Sequence, residues 1–250
     1  MNMLKRGTLW MAALLALLAL LTLAALAPDA ALAEEVTIDA TNFPDATFRE
    51  QHVKQFDKDN SGSLSEDEIA AVKEIDVSSQ GITDLTGIEH FTALTSLDCY
   101  SNNLTELDVS SNTELTSLYC YSNQLTALDV AACTKLKYLD CYSNQLTTLD
   151  VSKNTNLTDL YCYSNQLTTL DVAAYTKLMY LDCYSNQLTE LDVSKNTQLT
   201  YLDCSGNQLT ALDVSGNADL VTLVCSNQKA ELNVDRANDN WSVNLSEEIG

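Results

Sequence analysis

Proline and glycine are scarce in this 250-residue chain, at 2 and 7 residues. So little glycine excludes a collagen-like array. Only 2 histidines are present, His52 and His90, which leaves little for acid–base chemistry or nitrogen ligation. Positive charge is also short: 13 Lys and Arg stand against 35 Asp and Glu, a formal charge of −22. Such a surface does not bind a phosphate backbone regardless of sequence, so nucleic acid is excluded as a partner, and anionic membranes do not attract it. No H-E-x-x-H, G-x-S-x-G or phosphate-binding glycine loop occurs. What is abundant is apolar: 46% of residues are hydrophobic, enough for a core, so wholesale disorder is excluded.

The N-terminus has the layout of an export signal. Lys5 and Arg6 precede an apolar run from Leu9 to Ala27, broken only by Thr22. The small-residue site Ala31-Leu32-Ala33 follows, then Glu34. This order predicts a signal peptide over residues 1–33 and a secreted protein, with surface association left open. An uncleaved anchor is the alternative, since roughly 20 apolar residues span a bilayer. No second apolar stretch follows, so no membrane span is expected after cleavage.

Residues 57–68 predict a calcium loop within a small helical cap at 34–74. Oxygen side chains fall at loop positions one, three and five, as Asp57, Asp59 and Ser61. Gly62 stands where the backbone turns sharply. Ser63 offers its carbonyl, Ser65 acts through a water, and Glu68 closes the set as a bidentate ligand. Phe48, Val53 and Phe56 supply an entering helix, and Ile69, Val72 and Ile75 recur every three residues on an exiting one. An all-oxygen set suits calcium, a hard cation. The arrangement resembles an EF-hand loop, with Ser61 departing from the usual Asp or Asn.

From about residue 75 to 234 the chain repeats every 21 residues. Units restart at Leu94, Leu115, Leu136, Leu157, Leu178, Leu199 and Leu220, after a degenerate unit through Ile75, Val77, Ile82, Leu85 and Ile88. Alternate units are more alike: Ala131-Ala132-Cys133 matches Ala173-Ala174-Tyr175, and Ser152-Lys153-Asn154 matches Ser194-Lys195-Asn196. The pattern L-x-x-L-x-C-x-x-N-x-L-x-x-L-D-V resembles the bacterial leucine-rich repeat. The whole plan is similar to secreted, internalin-like proteins of Gram-positive bacteria. That resemblance implies a curved α/β solenoid with short parallel strands on its concave face, and recognition rather than catalysis. Gln228 replaces the repeat asparagine and the leucine spacing fails after Cys225, so the solenoid is expected to end from about residue 226 on, leaving a polar tail at 235–250.

One unit cannot bury its leucine face alone, so units stack into a shared core. Seven cysteines share one phase: Cys99, Cys120, Cys141, Cys162, Cys183, Cys204 and Cys225. In-register strands keep these sulfurs ~4.8 Å apart, and a disulfide wants its Cβ atoms at ~3.5–4.5 Å. They read as small buried hydrophobes. Cys133 sits at a turn position held elsewhere by Asn112, Asn154, Asn196 and Asn217, and reads as a free thiol or an intermolecular bridge. Asn102, Asn123, Asn144, Asn165, Asn186 and Asn207 are expected to satisfy buried turn backbone. The Asp108, Asp129, Asp150, Asp171, Asp192 and Asp213 series is expected to cap turns on the opposite side.

Residues alternating with the buried Leu and Cys face outward. One column reads Asp98, Tyr119, Asp140, Tyr161, Asp182, Asp203; its neighbours carry Tyr138, Tyr180 and Tyr201, and Tyr100, Tyr121, Tyr142, Tyr163 and Tyr184. Tyrosine gives flat area and a hydroxyl at low entropic cost, so these residues are the candidate ligand site. The expected partner is an extracellular protein; a carbohydrate or cell-wall ligand, or a structural spacer, are the alternatives. Oligomeric state cannot be read from the pattern. Paired carboxylates can cleave glycosides, but an open sheet offers no pocket to raise one pKa, so no enzyme is expected.

Overall fold

The computed structural model describes residues 35–228 and a strand at 233–235; the expected signal segment and all but the first residue of the expected tail lie outside them. The cap opens with strand β1 (Val36–Thr37), followed by a π-type helical segment, Phe48–Val53, and a 3-10 turn, Lys54–Phe56. Strand β2 (Ser63–Leu64) and helix α1 (Glu66–Ala71) follow. Phe43, Phe48 and Val53 are buried, and Phe43 meets Phe91 of the first repeat at 6.4 Å between ring centroids. Gly87, at φ +104°, permits this approach, because a Cβ there would lie 2.2 Å from the Phe43 ring.

The exiting helix is shorter than its apolar spacing predicts. It stops at Ala71; Val72 is already extended, and Ile75 sits in the middle of strand β3 (Glu74–Asp76). The cause is the sheet. The Lys73 carbonyl accepts from the amides of both Thr95 and Ser96, so pairing with the next repeat takes the chain out of the helix.

Six further repeats place a leucine at the centre of a three-residue strand: β4 (Ser96–Asp98), β5 (Ser117–Tyr119), β6 (Tyr138–Asp140), β7 (Asp159–Tyr161), β8 (Tyr180–Asp182) and β9 (Tyr201–Asp203). β10 (Ala211–Asp213) lies on another side of the coil, and β11 (Thr222–Val224) rejoins the main sheet. β3 to β9 and β11 form one eight-stranded parallel sheet in chain order. Pairing is in phase, with Leu97 opposite Leu118, and Leu118 opposite Leu139. The fold is therefore the leucine-rich-repeat solenoid with 21-residue turns. Each turn buries the same set, for example Leu115, Leu118, Cys120, Leu125, Leu128 and Val130. Burial of one such leucine is worth ~1.5–3 kcal/mol, which holds together turns that have almost no helix.

Buried asparagines bind the turns to one another. Asn144 Nδ2 donates to the carbonyls of Cys120 and Cys141, both at 3.1 Å, while its Oδ1 accepts from Leu125 N at 3.0 Å. Gln228 makes the same set, accepting from Leu209 N and donating to the Cys204 and Cys225 carbonyls. The ladder thus runs on past the point where the sequence predicts its end, because the longer amide reaches the same groups. Beyond it, β12 (Asn233–Asp235) pairs in parallel with β10.

Serine precedes each of these asparagines in a left-handed conformation, from Ser101 at φ +54° to Ser185 at φ +54°. Gly206 takes that place in the next repeat at φ +62°. On the opposite side, Asp108 Oδ1 accepts from Ser110 N at 2.9 Å, and Asp150 Oδ1 from Ser152 N at 2.8 Å. These carboxylates close turns two residues on, which lowers the pKa of Asp108 and Asp150.

Candidate functional site

The side chains flanking each buried strand leucine face out from the main sheet and form three columns. Register puts Asp98, Tyr119, Asp140, Tyr161, Asp182 and Asp203 side by side. Tyr100, Tyr121, Tyr142, Tyr163 and Tyr184 form one continuous stack, with ring centroids 4.4, 4.4, 4.1 and 4.5 Å apart. Tyr180 and Tyr201 stack at 4.0 Å, and Tyr161 leans on Tyr180 at 4.9 Å. Tyr138 is 43% exposed and the stacked rings are half-buried. All fourteen residues expected from the sequence therefore lie on one face.

The rings change the electrostatics of that face. Burial pushes Asp140 and Asp182 up to about 7, and Asp182 also feels Asp203. Asp182 is only 8% exposed. Asp140 Oδ1 is buried with no hydrogen-bond partner among the described residues. Burial likewise raises Tyr161 to about 12. The expectation that an open sheet cannot raise a carboxyl pKa is corrected here: flanking tyrosines exclude water without any pocket. Both carboxyls are raised together, however, so the pair lacks the contrast that separates an acid from a base.

Two features of the turn ladder were not legible beforehand. Asn112, Asn154, Asn196 and Asn217 are completely buried and donate to two carbonyls each, as Asn154 does to Val130 and Cys133 at 2.8 Å. Cys133 and Tyr175 occupy the same slot and are also completely buried. The intermolecular bridge considered for Cys133 is thereby ruled out, since no partner thiol can reach it. Burial pushes its pKa up to about 11, and Cys99, Cys120, Cys141, Cys162, Cys183 and Cys204 of the main ladder are buried thiols with raised pKa as well. Tyr175 stands apart from the other ten tyrosines, with a buried hydroxyl that has no partner among the described residues. The alternation of Asn with Cys and Tyr was the available signal.

In the cap, carboxylate oxygens of Asp57, Asp59 and Glu68 lie within 4.8 Å of one another. Asp57 Oδ2 accepts from Gly62 N at 2.9 Å, and Asp59 Oδ1 from Ser61 N at 2.9 Å. Ser61 Oγ donates to the Ser63 carbonyl at 3.1 Å. Ser65 caps α1: its hydroxyl accepts from Glu68 N, and Glu68 Oε2 accepts in return from Ser65 N. Hydrogen bonds from Ser65 and the Lys58 amide hold Glu68 down to about 2. Leu64 pairs with Val36, so β1 supplies the short strand that a second loop of the same kind would otherwise give. The donor set is all oxygen and fits calcium.

Comparison with known proteins agrees with this geometry. A family model described as leucine-rich repeats in two copies matches residues 113–154. Internalin J of Listeria monocytogenes is 45% identical over 71 residues, 28% of this chain but only 8% of that protein. A solved functional domain of the same protein, described as including a cysteine ladder, is 34% identical with a TM-score of 0.47, covering 82% of this chain and 62% of that one. Internalin C2 from the same species is 23% identical with a TM-score of 0.69, covering 84% of this chain and 98% of that one. No helix among the described residues is long and apolar enough to cross a membrane. The chain has the leucine-rich-repeat fold.

Proposed function

We propose that this chain is a secreted or surface-associated, non-enzymatic module that recognises an extracellular protein through its tyrosine and aspartate face. The observation that carries the reading is the face itself: ten tyrosines in register on one sheet surface, interleaved with carboxylates and left uncovered by any described element. Solenoids use such surfaces for extended contacts. The calcium loop serves this face by fixing the cap on which the first repeat packs. Protein is preferred to carbohydrate because sugars stack on open ring faces, whereas most faces here are taken by neighbouring rings at 4.0–4.5 Å.

The test is a binding screen in millimolar calcium against extracellular proteins and glycans. A variant with Tyr121, Tyr142 and Tyr163 changed to Ala, verified as folded, runs beside it. A protein ligand bound by the parent and lost in the variant supports recognition by this face. Binding untouched by the substitutions moves the site elsewhere. Binding competed away by free sugars shifts the reading to a carbohydrate module, and no ligand at all favours a spacer.

A further inference from the structure

The concave face has a period as well as a charge. Asp98, Asp140 and Asp182 occupy the same column on alternate strands, with Tyr119 and Tyr161 between them, and Asp76 and Asp203 extend it at the two ends on adjacent strands. Parallel strands are ~4.8 Å apart, so the alternate carboxylates are ~9.6 Å apart. The three outward columns contain no Lys, Arg or His. The ion pairs found among the described residues, Glu50 with Arg49 and Lys54 and Glu114 with Lys135, all lie elsewhere. A buried Asp140 oxygen has no partner among the described residues, and Asp182 is almost wholly enclosed. Carboxylates taken from water without a counter-charge are costly, and a cation from outside relieves that cost.

The spacing selects among backbones. A polyproline-II segment has three residues per turn and rises ~3.1 Å each, so one face repeats every ~9.3 Å. A β-strand repeats a face at ~6.6 Å, and an α-helix at ~5.4 Å per turn. The first comes nearest to the carboxylates, with two helical turns overshooting at ~10.8 Å. That conformation makes no internal hydrogen bonds and so needs donors and acceptors from its receptor. Tyrosine hydroxyls and ring edges beside the aspartates provide both polar contact and a surface for proline rings.

We propose that the face docks an extended, polyproline-II-like segment of a partner protein. The segment runs across the strands and sets Lys or Arg at every third residue over Asp98, Asp140 and Asp182. This rests on the recognition reading above and names its partner class.

Fluorescence anisotropy at low salt tests it with labelled peptides of about twelve residues. One repeats Pro-Pro-Lys. A second has the same composition with irregularly spaced lysines. A third carries Glu for Lys. The in-phase peptide is expected to bind ~10-fold more tightly than the irregular one, and the acidic peptide not to bind. Asp140→Asn with Asp182→Asn is expected to remove that preference. Equal binding of the two basic peptides overturns the proposal, since charge alone then explains attraction; so does no binding. The peptide comparison uses the unaltered protein and stands even if the double variant misfolds. Should the peptides fail while a screened protein still depends on Tyr121, Tyr142 and Tyr163, the cationic register falls and the recognition face survives.

Discussion

The rings of Tyr180 and Tyr201 lie face to face, with centroids 4.0 Å apart and planes 3° from parallel. Nothing in either residue requires this. It follows from a parallel register that sets equivalent positions of successive repeats side by side. The same register sets cysteine over cysteine and asparagine over asparagine, and the predictions below turn on which residues share a ladder.

Tyr142 has a ring on both sides, Tyr121 at 4.4 Å and Tyr163 at 4.1 Å, whereas Tyr100 stacks only on Tyr121. Aromatic pairs contribute ~0.5–1.5 kcal/mol beyond area. In urea unfolding, Tyr142→Ala is expected to cost about twice as much as Tyr100→Ala. Equal losses would mean that the stack adds nothing to burial.

Asn144→Ala leaves Leu125 N without its partner, while the Cys120 and Cys141 carbonyls each keep one bond, from Asn123 and Asn165. A buried donor left without a partner costs ~1–3 kcal/mol, so a loss of about 2 kcal/mol is expected. The exposed Asn103, next to the equivalent rung residue Asn102, should stay within ~0.5 kcal/mol of the parent when changed to Ala. The comparison is again by denaturant midpoint.

Asp140 and Asp182 have folded pKa values of about 7, raised above the ordinary carboxyl range mainly by burial. The folded state therefore holds these protons more tightly than the unfolded chain does. Their contribution to stability is fully present below the unfolded pKa of ~3.9 and is lost as pH rises to about 7. Melting curves across that window should show the native state weakening with pH. Asp140→Asn with Asp182→Asn should flatten the dependence and leave the protein more stable at pH 8. An unchanged slope would refute the assignment.

Calcium is expected to raise the melting temperature at millimolar concentration, and a chelator to reverse it. Glu68→Gln separates metal from fold, since glutamine can keep the capping box with Ser65 while losing the charge. The variant should melt near the metal-free parent and show no calcium shift. A shift of normal size would place the ion elsewhere.

All eight cysteines are buried thiols, Cys133 among them. A thiol reagent should label none in the native protein and all after denaturation. Prompt native labelling of Cys133 would contradict its burial in the turn ladder.

Much of this was legible in the sequence because a repeat reports its own geometry. Phase alone assigned Leu97 and Cys99 inward and Asp98 and Tyr100 outward. Phase says nothing about how deep a side chain sits. The burial that raises Asp140 comes from its place between Tyr119 and Tyr161 on the adjacent strands, a cross-strand effect. Phase put Tyr175 in the turn slot of Cys133 and said nothing of its depth; the slot is interior, and Asn196 of the next turn donates to the Tyr175 carbonyl. The end of α1 was misplaced for a similar reason: apolar spacing of three suits a helix, but the Lys73 carbonyl was already claimed by the next strand. Ser143 in a left-handed turn could have been inferred from Gly206, which stands in the same phase.

The two-repeat period makes the length of this protein adjustable in a particular unit. Positions 42 residues apart, such as Tyr119 and Tyr161 or Asn112 and Asn154, have like neighbours above and below. A pair of repeats spliced in or out in phase meets matching rungs at both cuts and needs no new interface. A single repeat does not: it sets aspartate beside aspartate, as at Asp182 and Asp203, where repulsion adds to burial in raising the Asp182 pKa. Unequal crossing-over in whole pairs thus gives a ruler that grows without retooling, each increment adding one more carboxylate at the same pitch.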